Sequence, residues 1–130
     1  MKKIIKRKKK TRIGGVGMPQ SLLLEEFGQR VWDAFPEAGP PYHVGSSLTM
    51  KKGWRDVDVR LILDDKTYKK MGLGDPKEAH SNARWVALVL AFTALGKYIT
   101  FLPIDFQIQQ RSYANEKFKG HRSALFRHSS

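Results

Sequence analysis

Two aspartates, Asp56 and Asp58, are the residues whose type and spacing suggest chemistry most directly. They begin segment 56–63, in which polar and apolar residues alternate as they do in a β-strand. Because successive side chains of a strand point to opposite faces, both carboxylates are expected on one face, together with Arg60. Two carboxylates held side by side on a stiff strand form a ready-made site for a divalent cation.

A third carboxylate, Asp105, belongs to segment 104–109, where the same alternation predicts another strand with one polar face. Three carboxylates from two strands suit phosphoryl or nucleotidyl transfer, in which two cations about 3.5–4 Å apart are bridged. Carboxylate oxygens favour Mg²⁺, or Mn²⁺ in its place, and Mg²⁺ takes further ligands from substrate phosphates. The candidate catalytic and metal-binding residues are therefore Asp56, Asp58 and Asp105.

A Gly-Ser-Ser turn at 45–47 precedes the first two aspartates. Its backbone N–H groups and hydroxyls can bind a phosphate, and the loop that follows it carries the cations Lys51, Lys52 and Arg55. Simple solvation is the alternative interpretation of these loop cations, and pairing with Asp58 is the alternative for Arg60. The candidate phosphate-binding residues are Gly45, Ser46, Ser47, Lys52 and Arg60.

These side chains need strands and helices to position them. A short first strand at 42–45 leads into the Gly-Ser-Ser turn, and the strands at 56–63 and 104–109 carry the aspartates. Helices are expected around these strands, because apolar residues recur there at helical spacing. The order of elements predicts an α/β (α+β) fold, a small mixed β-sheet flanked by helices at 21–35, at about 75–102 and within 112–126.

The long middle helix has well-marked boundaries in the sequence. Asp75 and Glu78 resemble a capping box around Pro76, and Gly96 and Pro103 are expected to help end the helix. Its broad apolar face predicts packing in the core of the domain, in preference to a cofactor site or a membrane span.

The charge distribution divides the chain into three parts. Eight of the 24 basic residues lie within 2–12, where there is no acidic residue. The rest of the chain has 16 basic and 12 acidic residues, so it contributes only +4 to the net charge of +12. We therefore predict a basic flexible arm at 1–20, a domain at 21–120 and a basic tail at 121–130.

Composition also excludes several classes of protein. The 130 residues include no cysteine, which rules out disulfides, thiolate metal sites and cysteine nucleophiles. The basic start lacks the apolar stretch of a signal peptide, and no apolar run approaches the roughly 20 residues that span a bilayer. We expect a soluble, cytoplasmic protein that makes no membrane contact.

Taken together, the motifs resemble those of a known superfamily. The sequence Gly45-Ser46, nine further residues, Asp56-Val57-Asp58 and the later Ile104-Asp105-Phe106 is similar to the signature of the DNA-polymerase-β-like nucleotidyltransferases. The likeness covers about half of the chain, 42–110. It is strongest to small single-domain ("minimal") members, including those found in phage genomes.

The resemblance implies a fold, a reaction and a set of roles. A nucleoside monophosphate would pass from a nucleoside triphosphate such as ATP to an unidentified acceptor hydroxyl, with release of pyrophosphate. Gly45 and Ser46 would hold the β- and γ-phosphates, Asp56 and Asp58 would bridge two Mg²⁺ ions, and Asp105 would hold the catalytic metal and help to deprotonate the acceptor. Small members often act as a homodimer or with a partner protein, which implies acceptor recognition in trans.

The residues leave other interpretations open. The basic arm by itself suits a nucleic-acid-binding protein that catalyses nothing, since each lysine or arginine can neutralise a backbone phosphate. His43 is either a substrate contact or, as we expect, a packed histidine, and Trp54 either stacks on a base or lies at the edge of the core. A metal nuclease is disfavoured, because segment 56–63 lacks the acid-x-Lys pairing such sites commonly use.

Overall fold

The sheet contains the three strands that the sequence indicates and a fourth strand that it does not. A computed structural model describes residues 15–126 and places four strands in the order β3-β2-β1-β4. β2 and β3 run parallel, whereas β1 is antiparallel to both β2 and β4. The strands are β1 (Tyr42–Val44), β2 (Val57–Leu63), β3 (Ile104–Gln110) and β4 (Arg122–Ala124).

Helices flank this mixed sheet, which confirms the predicted α+β fold class. They are α1 (Gln20–Ala34), α2 (Ser46–Thr49), α3 (Asp65–Lys70), α4 (Ala83–Thr100) and α5 (Arg111–Lys117), with 3₁₀ turns at Pro36–Ala38 and Pro76–Ser81. α3, α4 and the second 3₁₀ turn form the crossover that joins the parallel strands β2 and β3.

One face of the sheet forms the hydrophobic core. Val57, Val59 and Leu61 of β2 are fully buried, and the alternate residues of β3 pack beside them. Phe106 of β3 lies 6.0 Å from Phe27 of α1 and 5.5 Å from the Phe92 ring of α4, measured between ring centroids. Because α1 and α4 cover this face, the polar residues of β2 and β3 are left on the opposite face.

Gly96 lies inside α4 and not at its end, contrary to the sequence prediction. A Cβ atom at this position would lie 2.9 Å from the Phe27 ring and 3.1 Å from Ile104, so glycine lets α4 approach α1 and β3 closely. The helix instead ends at Phe101, which has the left-handed φ of 59°.

The start of α4 also differs from the prediction. Asp75 caps the 3₁₀ turn by accepting a hydrogen bond from the Lys77 backbone N–H, and Glu78 has a non-helical backbone within that turn. Asn82 then caps α4 itself, because its side chain accepts a hydrogen bond from the Trp85 N–H. The expected helix is therefore two elements, of which only the second is α-helical.

The packed part of the chain extends past both predicted domain boundaries. β4 lies within the segment predicted as a basic tail, and Leu125 after it is buried with its N–H bonded to the Pro41 carbonyl. At the other end, Val16 is buried although it falls within the predicted arm. The eight basic residues of 2–12 lie outside the described residues.

Contrary to the sequence prediction, one helix of the described residues, α4, is long and apolar enough by length and composition to cross a membrane. Its inner residues pack on α1 and β3, while Leu90, Tyr98 and Phe101 remain exposed. One helix of this kind is weak evidence for a membrane protein, and only 11% of it is buried within the protein.

Replacing Leu125 with alanine tests whether the end of the chain belongs to the packed domain. The side chain is 5% exposed, so its truncation is expected to lower the free energy of unfolding by about 2–4 kcal/mol in urea denaturation. Leu22→Ala is the matched control, because Leu22 is 53% exposed, and we expect a change of at most about 0.5 kcal/mol. Equal, small effects of the two substitutions would show that the end of the chain does not contribute to the core.

Candidate functional site

The parallel register of β2 and β3 brings the predicted acidic residues together. Asp58 of β2 is the direct partner of Asp105 of β3, and Asp56 immediately precedes β2. One carboxylate oxygen from each of the three aspartates can be chosen so that all three oxygens lie within 4.8 Å of one another. Asp56, Asp58 and Asp105 are therefore close enough to bind a metal ion.

The cluster is electrostatically unfavourable on its own. Burial raises the pKa of Asp58, Arg60 lowers it, and weaker repulsion from Asp105 and then from Asp56 raises it again. Among the described residues Arg60 forms ion pairs with Asp58 and Asp105, and a divalent cation would relieve the repulsion that remains.

Arg60 holds the two strands and their carboxylates together. Its Nη2 lies 3.8 Å from the Asp58 carboxylate and 3.7 Å from that of Asp105. Its Nη1 donates to the Asp105 carbonyl at 2.6 Å and to the Val59 carbonyl at 3.1 Å. The structure shows Arg60 in ion pairs with both carboxylates, and its predicted phosphate contact remains a prediction.

The Gly-Ser turn passes directly against this cluster. Gly45 has a φ of 79°, a conformation that suits glycine, and a Cβ atom there would clash with the Asp58 carboxylate oxygen. Ser46, the first residue of α2, is exposed. Gly45 thus allows the backbone of the turn to approach the carboxylates, and Ser46 follows it at the protein surface.

Ser47 differs from Ser46 in the position of its side chain. Its side chain is fully buried, and its hydroxyl is hydrogen-bonded to His43 Nε2 at 2.7 Å. Burial lowers the pKa of His43 to about 4, so the imidazole is neutral near pH 7. The pair joins β1 to α2 inside the protein, so that a phosphate contact of Ser47 would have to come from its backbone N–H, and this contact remains a prediction.

The basic loop after α2 is exposed at Lys51, Lys52 and Arg55. The phosphate contact of Lys52 remains a prediction. Trp54 is partly buried against the hydrophobic core, and its indole lies where a side chain at Gly15 would have to fit. It occupies the edge-of-core position that the sequence left as one alternative.

A groove of about 460 Å³ continues from the acidic cluster along the open face of the sheet. Asp58 and Arg60 line it, together with four residues that were not named as site residues from the sequence: Gln107, Gln109, Phe118 and Arg122. The alternation of segment 104–109 had already placed the two glutamines on the face of Asp105. Arg122 carried no such signal, because β4 has only three residues and was not predicted.

Comparisons with protein-family models, with curated proteins and with solved structures found no match to this chain.

Substituting alanine for Gly45 tests the contact between the turn and the carboxylates. The new Cβ must displace Asp58, so we expect the affinity for Mn²⁺, measured by titration calorimetry, to fall by about 10–100-fold, as when groups that orient metal ligands are lost. Alanine at this positive φ should also cost about 1–3 kcal/mol of stability.

Gly39→Ala is the matched control for this experiment. Gly39 has the same φ of 79°, but a Cβ atom there meets nothing within 4 Å. It should therefore lose similar stability and keep its affinity for Mn²⁺. An equal loss of affinity in both variants would contradict the assigned contact, since the effect would then follow backbone strain alone.

Proposed function

We propose that this protein is a metal-dependent nucleotidyltransferase that transfers a nucleoside monophosphate from a nucleoside triphosphate to an acceptor hydroxyl and releases pyrophosphate. The observation that carries the proposal is the close grouping of Asp56, Asp58 and Asp105 from neighbouring strands, next to the exposed turn at Gly45. The likeness of these motifs to the DNA-polymerase-β-like superfamily supports the same conclusion.

The roles follow from where the side chains lie. Asp56 and Asp58 would bridge two Mg²⁺ ions, with Mn²⁺ as an alternative, and Asp105 would ligate one of them. When bound, such ions activate the attacking oxygen and neutralise charge on the phosphate. The Asp105 side chain is 41% exposed and that of Asp58 24%, so Asp105 is the better placed of the two to accept a proton from an incoming hydroxyl.

The turn and Arg60 complete the proposed site. The backbone N–H groups at Gly45 and Ser46, with the Ser46 hydroxyl, would hold the terminal phosphates of the triphosphate. Arg60 would keep Asp58 and Asp105 in register as the ions bind, because its Nη1 is tied to two backbone carbonyls.

The groups that recognise the acceptor are assigned to another protein chain. We propose that a partner protein or a second copy of the chain supplies acceptor recognition, since the described residues are accounted for by the one sheet and its helices. We place the reaction in the cytoplasm, where triphosphates and Mg²⁺ are both supplied.

Thermal unfolding with and without ligand tests the proposal. A triphosphate with Mg²⁺ at 100 times its Kd should stabilise the protein by about 2.7 kcal/mol, a rise in Tm on the order of 10 °C. Asp58→Asn should abolish the rise. Asp33→Asn, which removes an exposed carboxylate on α1, should retain it, and the proposal fails if Asp58→Asn retains it too.

Nucleic-acid binding through the basic arm is a second candidate function. The eight positive charges within 2–12, with no acidic residue among them, favour it. Removing residues 1–12 should then abolish a binding that weakens steeply with salt. If such binding survives replacement of all three aspartates by asparagine, and no triphosphate binds to the unaltered protein, this second function replaces the enzymatic one.

A further inference from the structure

Two glutamines on β3 line the groove beside the acidic cluster. Gln107 and Gln109 alternate with buried residues, so both point to the face that carries Asp105. At about 3.3 Å per residue, Gln107 lies roughly 7 Å and Gln109 roughly 13 Å beyond Asp105 along the strand. The groove thus leads from the carboxylates to a pair of side-chain amides.

These amides have hydrogen-bonding capacity that the protein does not use. In the described part of the chain, neither side chain has a hydrogen-bond partner, whereas Gln109 is only 9% exposed. The Gln109 amide is therefore open to solvent only through the groove, because the rest of the side chain is buried and the Tyr68 hydroxyl is the fully buried side-chain polar atom without a partner among the described residues. The position of the amide on the wall of an open groove suggests that a ligand supplies the missing partner.

The remaining walls define the shape and polarity of that ligand. Val44 and Ile62 contribute apolar surface, and the half-exposed Phe118 ring forms one rim. A volume of about 460 Å³ is within the usual range for small-molecule sites. A flat, largely apolar ring with hydrogen-bond donors and acceptors on its edge fits these walls, because each amide offers both a donor and an acceptor.

We propose that this groove binds the nucleobase of the triphosphate and that Gln107 and Gln109 recognise its hydrogen-bonding edge. The inference rests on the proposed function, which puts the triphosphate at Asp58 and Gly45, and both of these residues also line the groove. The sugar then connects phosphates at the carboxylates to a base between Phe118 and the glutamines. Glutamine pairs well with the donor and acceptor atoms of a base edge.

Binding measurements with and without a base test this directly. The four common ribonucleoside triphosphates and inorganic tripolyphosphate are titrated into the full-length protein in Mg²⁺. At least one nucleotide should bind about tenfold more tightly than tripolyphosphate, because only the nucleotide reaches the groove. Gln109→Met, which keeps the length of the side chain and removes the amide, should weaken that nucleotide about tenfold and leave tripolyphosphate unchanged.

Two further variants keep the test decisive. Gln107→Met removes the more exposed amide and should act in the same direction, which covers the case that Gln109→Met does not fold. Gln110→Met is the matched control, because Gln110 follows on the opposite face of the strand and makes no side-chain cap. It should leave both affinities unchanged.

The outcomes separate this inference from the function it rests on. If all nucleotides bind only as tightly as tripolyphosphate, or if the methionine variants weaken both ligands equally, the base site is wrong and the triphosphate site stands. If neither tripolyphosphate nor any nucleotide binds, the proposed function fails and the base site fails with it.

Discussion

The close placement of three carboxylates at neighbouring strands is the constraint on which this site depends. Like charges about 4 Å apart repel by on the order of 4 kcal/mol at an effective dielectric constant of 20, and the backbone pairing of β2 with β3 prevents Asp58 and Asp105 from separating. Arg60 opposes the repulsion with one positive charge held by two backbone carbonyls. A fold that concentrates negative charge in this way is suited to bind cations.

The rest of the domain keeps this arrangement in place. The core face of β2 and β3 is buried under α1 and α4, and Gly96 allows the helices to pack closely on the strands. His43 and Ser47 join β1 to α2 beneath the surface, while Gly45 carries the turn past Asp58 above it. One face of the sheet thus supplies stability, and the other holds the polar groups assigned to function.

Sequence reasoning identified the parts of the molecule that have a strong period. The alternation of β2 and β3 predicted both strands and put Asp58, Arg60 and Asp105 on one face, because a strand has a strict period of two. Neighbouring serines offered no such guide: Ser46 is exposed and Ser47 buried, and only the start of α2 decides which is which. β4 was missed because three residues carry too little pattern, and its pairing with β1 is a long-range contact.

A crystal structure with Mn²⁺ and a non-hydrolysable triphosphate tests the central claim most directly, because anomalous scattering locates the ions. We predict Mn²⁺ ligated by Asp56, Asp58 and Asp105, with the terminal phosphates against Gly45 and Ser46. Ions bound elsewhere, or an acidic cluster that still binds no metal at saturating Mn²⁺ and triphosphate, would contradict the account.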